Sequence, residues 1–227
     1  MKPLVWLWLL SWPLRSLAEL PVVELSVPKE SDPKLPLVFF YSGDGGWAEF
    51  DQEVTRRLHD AGWPVVGVNS LKYFWSRRTP EETAADLGKA IDHYCSTWQR
   101  ERVVLVGFSQ GADALPFAVN RLTDTARAHV ALLVLIGPGN TTSFKVKIST
   151  WLGAKPAADD PALKPEVLRL APLPILAVTG ERDPDAAKDW PVSDGLQSVL
   201  HSGDHHLDKD FDGITQLILK RWDVLTK

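Results

Sequence analysis

Seven short runs of apolar and β-branched residues are spaced between stretches of helical pattern, and this alternation limits the fold more than any other feature. The runs predict strands over Val22 to Val27, Leu35 to Tyr41, Pro64 to Val68, Val103 to Val106, Val130 to Ile136, Leu173 to Val178 and Leu196 to Leu200. Several are apolar throughout, as strands are when both faces of their sheet are covered, so a mostly parallel sheet is expected. Helical patterns over Ala48 to Ala61, Pro80 to Tyr94, Gln110 to Asn120, Asp185 to Trp190 and Phe211 to Trp222 fill the gaps, giving a doubly wound α/β sheet. The second begins with an N-cap at Thr79, a proline in the first turn and acids at Glu81 and Glu82, where the helix dipole favours them. Between Gly137 and about Leu170 no period is clear, and Trp151-Leu152-Gly153 and four prolines fall there, so this segment is expected to form a small cap over the site.

The first residues carry Lys2, an apolar run, and small residues at Ser16 and Ala18, the three-part layout of a secretory signal peptide cleaved after Ala18. The run is shorter than the ~20 residues a membrane span needs. Residues 19–227 are then expected to form one domain, with hydrophobic residues at 44% to fill its core. Cys95 is the only cysteine, so no intrachain disulfide can form, and it reads as a small buried hydrophobe. Export removes Lys2 and Arg15, leaving 23 basic residues (25 less 2) against 29 acidic ones. A net charge moving from -4 to -6 argues against nucleic acid as a partner and confines any anion site to a local patch.

Gly107-Phe108-Ser109-Gln110-Gly111 stands between a predicted strand and a predicted helix. Flanking glycines let the backbone turn sharply there and lift the serine hydroxyl above the sheet, making Ser109 a candidate nucleophile. A serine so placed needs an acid and then a histidine further along the chain, the order found in α/β-hydrolases. Asp183 follows the sixth strand, with Glu181 and Asp185 as competitors, and His205 and His206 follow the seventh. Either histidine could be the general base, His205 being favoured by its nearness to the glycine turn. Zinc held by His205, His206, Asp204 and Asp208 is the lesser reading, because no second ligand set converges on them. No metal or other cofactor is expected. Ser42-Gly43-Asp44-Gly45-Gly46-Trp47 follows the second strand, where the amides of Asp44 and Gln110 are expected to form an oxyanion hole. A carboxylate at Asp44 opposes a developing anion unless the substrate carries a cation close to its carbonyl, as an aminoacyl ester does. Lys72, Tyr73, Trp75, Arg77 and Arg78 after the third strand are candidates for holding a phosphate and an apolar tail.

The stretches SGDGGW (Ser42 to Trp47), SLKYFWSRRTP (Ser70 to Pro80), GFSQGADALPFAVNRL (Gly107 to Leu122), WLG (Trp151 to Gly153) and GDHHLD (Gly203 to Asp208) resemble the VirJ/AcvB virulence proteins of Gram-negative bacteria. The resemblance implies an α/β-hydrolase fold, a periplasmic location, and Ser109 as nucleophile with Asp183 and the His205/His206 pair. It further implies hydrolysis of aminoacylated phosphatidylglycerol, lysyl or alanyl, at the membrane surface; a monomer is expected. Two alternatives stand beside this: a general periplasmic carboxylesterase or thioesterase, and a non-catalytic accessory that binds components of type IV secretion.

Overall fold

A computed structural model describes residues 20–146, 160–190 and 193–227. The leader Met1 to Ala18 lies outside the described residues, as does the middle of the Gly137 to Leu170 segment, including Trp151 to Gly153. The strands are β1 (Val22–Leu25), β2 (Leu37–Tyr41), β3 (Val65–Val68), β4 (Val103–Phe108), β5 (Val130–Ile136), β6 (Ile175–Gly180) and β7 (Leu196–His201). They form a seven-stranded sheet, counted over the described residues, in the order β1-β3-β2-β4-β5-β6-β7. β1 is antiparallel to β3 at one edge and every other pairing is parallel.

The helices are α1 (Glu49–Asp60), α2 (Ser70–Tyr73), α3 (Pro80–Trp98), α4 (Gln110–Val119), α5 (Asp124–His129), α6 (Leu163–Leu168) and α7 (Phe211–Thr226). Successive strand residues point to opposite faces, and both faces are dry. Leu37, Phe39 and Tyr41 of β2 pack with Leu87 and Ile91 of α3 and Leu115 of α4. Val38 and Phe40 pack on the other side with Val54 and Leu58 of α1 and Ile218 and Trp222 of α7. Each such side chain contributes roughly 1.5–3 kcal/mol on burial. The continuous apolar runs are thus explained by covering on both sides. Cys95 is buried in this packing, and burial pushes its thiol up to about 11, as befits a hydrophobe rather than a nucleophile.

All seven strands occur where the apolar runs fall. The helical pattern over Asp185 to Trp190 does not become a helix. The Asp185 amide donates to the Asp183 carboxylate (3.1 Å), Ala187 donates to Pro138 (2.8 Å), and Ala186 pairs with Gly139 as an antiparallel bridge. These backbone groups are therefore spent on an extended pairing. Three short helices, α2, α5 and α6, carry too few turns to show a period. The described part of the Gly137 to Leu170 segment includes α6. Leu163 and Val167 are buried against the core, and Thr141 pairs with Ala162. α3 runs on to Trp98 and is started by a capping box between Thr79 and Glu82, worth about 1 kcal/mol.

Candidate active site

Ser109 is the pivot between β4 and α4. Its backbone sits at φ 50, ψ -115, a conformation that costs a non-glycine residue about 1–3 kcal/mol. The surroundings impose it: the Ser109 amide donates to the Ile136 carbonyl (2.9 Å), and the Ser109 carbonyl accepts from Asp113 (3.0 Å). A Cβ on Gly107 would lie 2.4 Å from the Gly111 carbonyl carbon, and one on Gly111 would lie 2.3 Å from the Tyr41 oxygen. Only glycine fits at either position, because each contact is with backbone.

Ser109 Oγ lies 2.9 Å from His205 Nε2, and His205 Nδ1 lies 2.6 Å from Asp183 Oδ2. A carboxylate acceptor at Nδ1 fixes the tautomer, so that Nε2 is left to accept the serine proton. Asp183 is buried. Its second oxygen accepts the Asp185 amide, so the carboxylate is held from both ends. Glu181 and Asp185 are exposed. His206 faces elsewhere: its ring meets Phe50 edge-on (6.3 Å between centroids) and lies 5.5 Å from Phe108. Burial, then the neighbouring His205, lowers the affinity of the His206 imidazole for a proton. The choice between two adjacent histidines, open in the sequence, is made by which ring bridges serine and acid.

The histidine loop closes with Leu207, Asp208 and Lys209 in succession at φ 54, 51 and 59, all left-handed. Three contacts hold that turn. Leu207 is fully buried, Asp208 takes a bidentate bond from Arg182 (2.6 and 2.8 Å), and Lys209 reaches Glu49 at the start of α1 (2.6 Å). Asp204 accepts the His206 amide (2.8 Å), so Asp204 and Asp208 on the histidine loop are directed at an amide and a guanidinium group. Among the described residues no group of three or more His, Cys, Asp or Glu is arranged to hold a metal.

The loop after β2 passes directly beside the nucleophile: a Cβ on Gly43 would be 3.5 Å from Ser109 Cβ. Ser42 anchors it, its hydroxyl accepting the Ser70 amide of α2 (2.9 Å). The Gln110 amide belongs to the first turn of α4, whose N–H groups have no acceptor within the helix. The Gln110 side chain donates to the Ser143 carbonyl.

A cleft of about 690 Å³ opens over Ser109. Phe50, Phe108 and Phe211 form its apolar wall, with Phe50 and Phe108 stacked at 4.1 Å. Asp44, Glu49 and Asp51 line it as acids, and Lys209, paired with Glu49, is its basic side chain apart from the histidines. Burial pushes the Asp51 carboxyl up to about 7, against the opposing bond from the Ala48 amide (2.9 Å). Glu49, Phe50, Asp51, Lys209 and Phe211 escaped the sequence reading. The usable signal was position, since each follows within a few residues of a loop at the carboxyl edge of the sheet, where such folds bind ligands.

The 72–78 segment does not line the cleft. Tyr73 is a core residue, 2% exposed, whose hydroxyl donates to Asp86 (2.7 Å). This corrects its reading as a substrate contact: Tyr73 closes the single turn of α2, on the side that faces inward. Arg78 stacks on the Tyr73 ring (4.9 Å). Lys72, Trp75 and Arg77 are exposed, Trp75 by 59%, on a rim tied to the Ser42 loop through Ser70.

The family described as bacterial virulence protein (VirJ) matches residues 36–225 of this chain. No curated protein sequence matches it. Similar solved structures include YbtT, the type II thioesterase of the yersiniabactin biosynthetic pathway, with TM-score 0.63 and 14% identity over 91% of this chain and 100% of that one. Est1E from Butyrivibrio proteoclasticus has TM-score 0.57 and 17% identity over 89% and 94%. Naproxen esterase from Bacillus subtilis has TM-score 0.57 and 15% identity over 88% and 86%. At these identities the likeness establishes the α/β-hydrolase fold.

Proposed function

The chain belongs to the VirJ family of bacterial virulence proteins, and from that premise we propose that it is an exported serine esterase that releases the amino acid from aminoacylated phosphatidylglycerol. The observation that carries this reading is the hydrogen-bonded run from Ser109 through His205 to Asp183, opening on a cleft rich in acids.

His205 Nε2 takes the Ser109 proton as Oγ attacks the aminoacyl carbonyl carbon. The amides of Asp44 and Gln110 receive the oxyanion, and Asp183 holds the imidazole and balances its charge. Collapse of the tetrahedral intermediate expels the glycerol oxygen of the lipid, which takes its proton from His205. Water, deprotonated by the same nitrogen, then attacks the aminoacyl-serine ester and frees the amino acid.

The acids support the substrate class. Negative side chains beside an oxyanion oppose an ordinary ester hydrolysis, and a substrate ammonium next to the scissile carbonyl removes that opposition. Asp44 is assigned to the ammonium. Lys72, Arg77 and the exposed Trp75 are assigned to the anionic head groups around the substrate, in the periplasm.

A fluorophosphonate probe tests the chemistry first. The wild-type protein is expected to be labelled at Ser109, and an unlabelled serine overturns the esterase in favour of a binding accessory of secretion. Turnover of lysyl-phosphatidylglycerol against a nitrophenyl acyl ester tests the substrate class. Loss of a charge-assisted bond of about 1.5–3 kcal/mol predicts that Asp44→Asn slows the aminoacyl ester roughly 10- to 100-fold. The nitrophenyl ester should be slowed far less, and equal losses would leave a general carboxylesterase.

A further inference from the structure

We propose that Asp113 is a positioning residue that fastens the loop carrying Asp183 to the helix that begins at Ser109. The inference rests on the esterase reading above for its catalytic consequence, while its structural half stands without it.

Asp113 lies one helical turn after Ser109, and its own amide donates to the Ser109 carbonyl (3.0 Å). Its carboxyl Oδ1 accepts the Gly139 amide at 2.7 Å, across 26 residues. Gly139 in turn pairs with Ala186, and the next links run in the same direction. The Ala187 amide donates to the Pro138 carbonyl (2.8 Å) and the Asn140 side chain to the Asp185 carbonyl (3.3 Å). The Asp185 amide then holds Asp183 Oδ1. A continuous path of hydrogen bonds therefore leads from the nucleophile's helix, through one carboxyl, to the acid that orients His205. The polar side chains at the two ends of α4 go elsewhere, that of Gln110 to the Ser143 carbonyl and that of the C-cap Asn120 to Glu166.

The charge state suits the task. Burial raises the Asp113 carboxyl to about 8, with Asp44 on the Ser42 loop and Asp183 on the acid loop adding to the rise and the Gly139 amide opposing it. At neutral pH the tie is then an uncharged acid. Ionised, it would add a third negative charge beside Asp44 and Asp183. An uncharged carboxyl still accepts the Gly139 amide, and an asparagine in its place would do so as well.

The test compares wild type, Asp113→Asn and Asp113→Ala in two measurements. The first is the rate of fluorophosphonate labelling and of nitrophenyl ester turnover from pH 6 to 10, neither of which needs the lipid substrate. Asp113→Asn is expected within about threefold of wild type at pH 7 and to keep its rate above pH 8, where wild type declines. Asp113→Ala is expected to lose at least tenfold in kcat with KM little changed, as when only the transition state loses support. The second measurement is thermal unfolding at pH 5.5 and 9. Asp113→Asn should unfold at a higher temperature than wild type at pH 9 and not at pH 5.5. Superimposable pH profiles and unfolding differences for wild type and Asp113→Asn overturn the inference, as does an asparagine variant no better than alanine. A wild-type protein that takes no label overturns the esterase reading instead, and the unfolding arm still decides whether Asp113 makes the tie.

Discussion

The cleft over Ser109 and the rim at residues 72–77 stand on the same edge of the sheet and are built in opposite ways. In the cleft, Ser109, His205 and Asp183 are pinned by backbone turns, two glycines that accept no Cβ, and buried partners. On the rim, Lys72 on the short helix α2 and Trp75 and Arg77 just after it extend into solvent. The cleft is acidic and aromatic, with Lys209 paired to Glu49, and the exposed Lys72 and Arg77 stand outside it. Reaction needs fixed geometry, because a misplaced atom costs rate, whereas contact with a fluid surface of head groups needs charge and an amphipathic ring rather than one fixed pose. A substrate with a cationic head on the reacting side and phosphates beyond it fits that division.

The comparison breaks most readily at the relay. Ser109→Ala and His205→Ala should each reduce ester turnover by about 10⁴-fold or more, while His206→Ala should stay within about tenfold. A His206→Ala loss as large as that of His205→Ala would mean that the two rings exchange places during the reaction. Next in size is the selective loss expected for Asp44→Asn, which separates cleft from rim because it should not alter binding to vesicles. Removing a rim cation should weaken activity on phosphatidylglycerol vesicles about fivefold, from about 1 kcal/mol per charge near an anionic surface. That effect should fade at high salt and be missing with a soluble nitrophenyl ester. If Lys72→Ala and Arg77→Ala slow the soluble ester too, the rim belongs to the cleft.

The smallest effect concerns pH. Free carboxyls ionise near 4, whereas Asp51 and Asp113 in the folded protein do so at about 7 and about 8. Between these limits the folded state holds protons that the unfolded state has lost. The stability these two groups contribute is therefore present in full below about pH 4 and is lost as pH rises through 7 to 8. Melting temperature should decline by a few degrees from pH 5.5 to 9, and Asp51→Asn should flatten part of that slope. An unchanged slope would mean that water reaches the Asp51 carboxyl.

Much of this was legible beforehand, for physical reasons. Apolar runs mark buried strands because a doubly covered sheet tolerates little else, and each of the seven fell in place. Gly107 and Gly111 could be read because the turn excludes every side chain. Asp185 to Trp190 misled because its helical period competed with a long-range pairing to Gly139 that no local pattern reveals. Tyr73 misled because one turn of helix decides whether a ring faces the core or the solvent. The His205 and His206 choice depended on ring directions at adjacent positions, which only the folded loop fixes.

The left-handed turn at Leu207, Asp208 and Lys209 has a consequence for how such a sequence drifts and how it can be engineered. Glycine at Asp208 or Lys209 would relieve roughly 1–2 kcal/mol of steric strain at that residue. The same exchange would remove the bond to Arg182 or to Glu49 that clamps the histidine loop. Selection for thermal endurance and selection for turnover therefore pull this turn toward different residues, and a library ranked by melting temperature alone would enrich the slower enzyme.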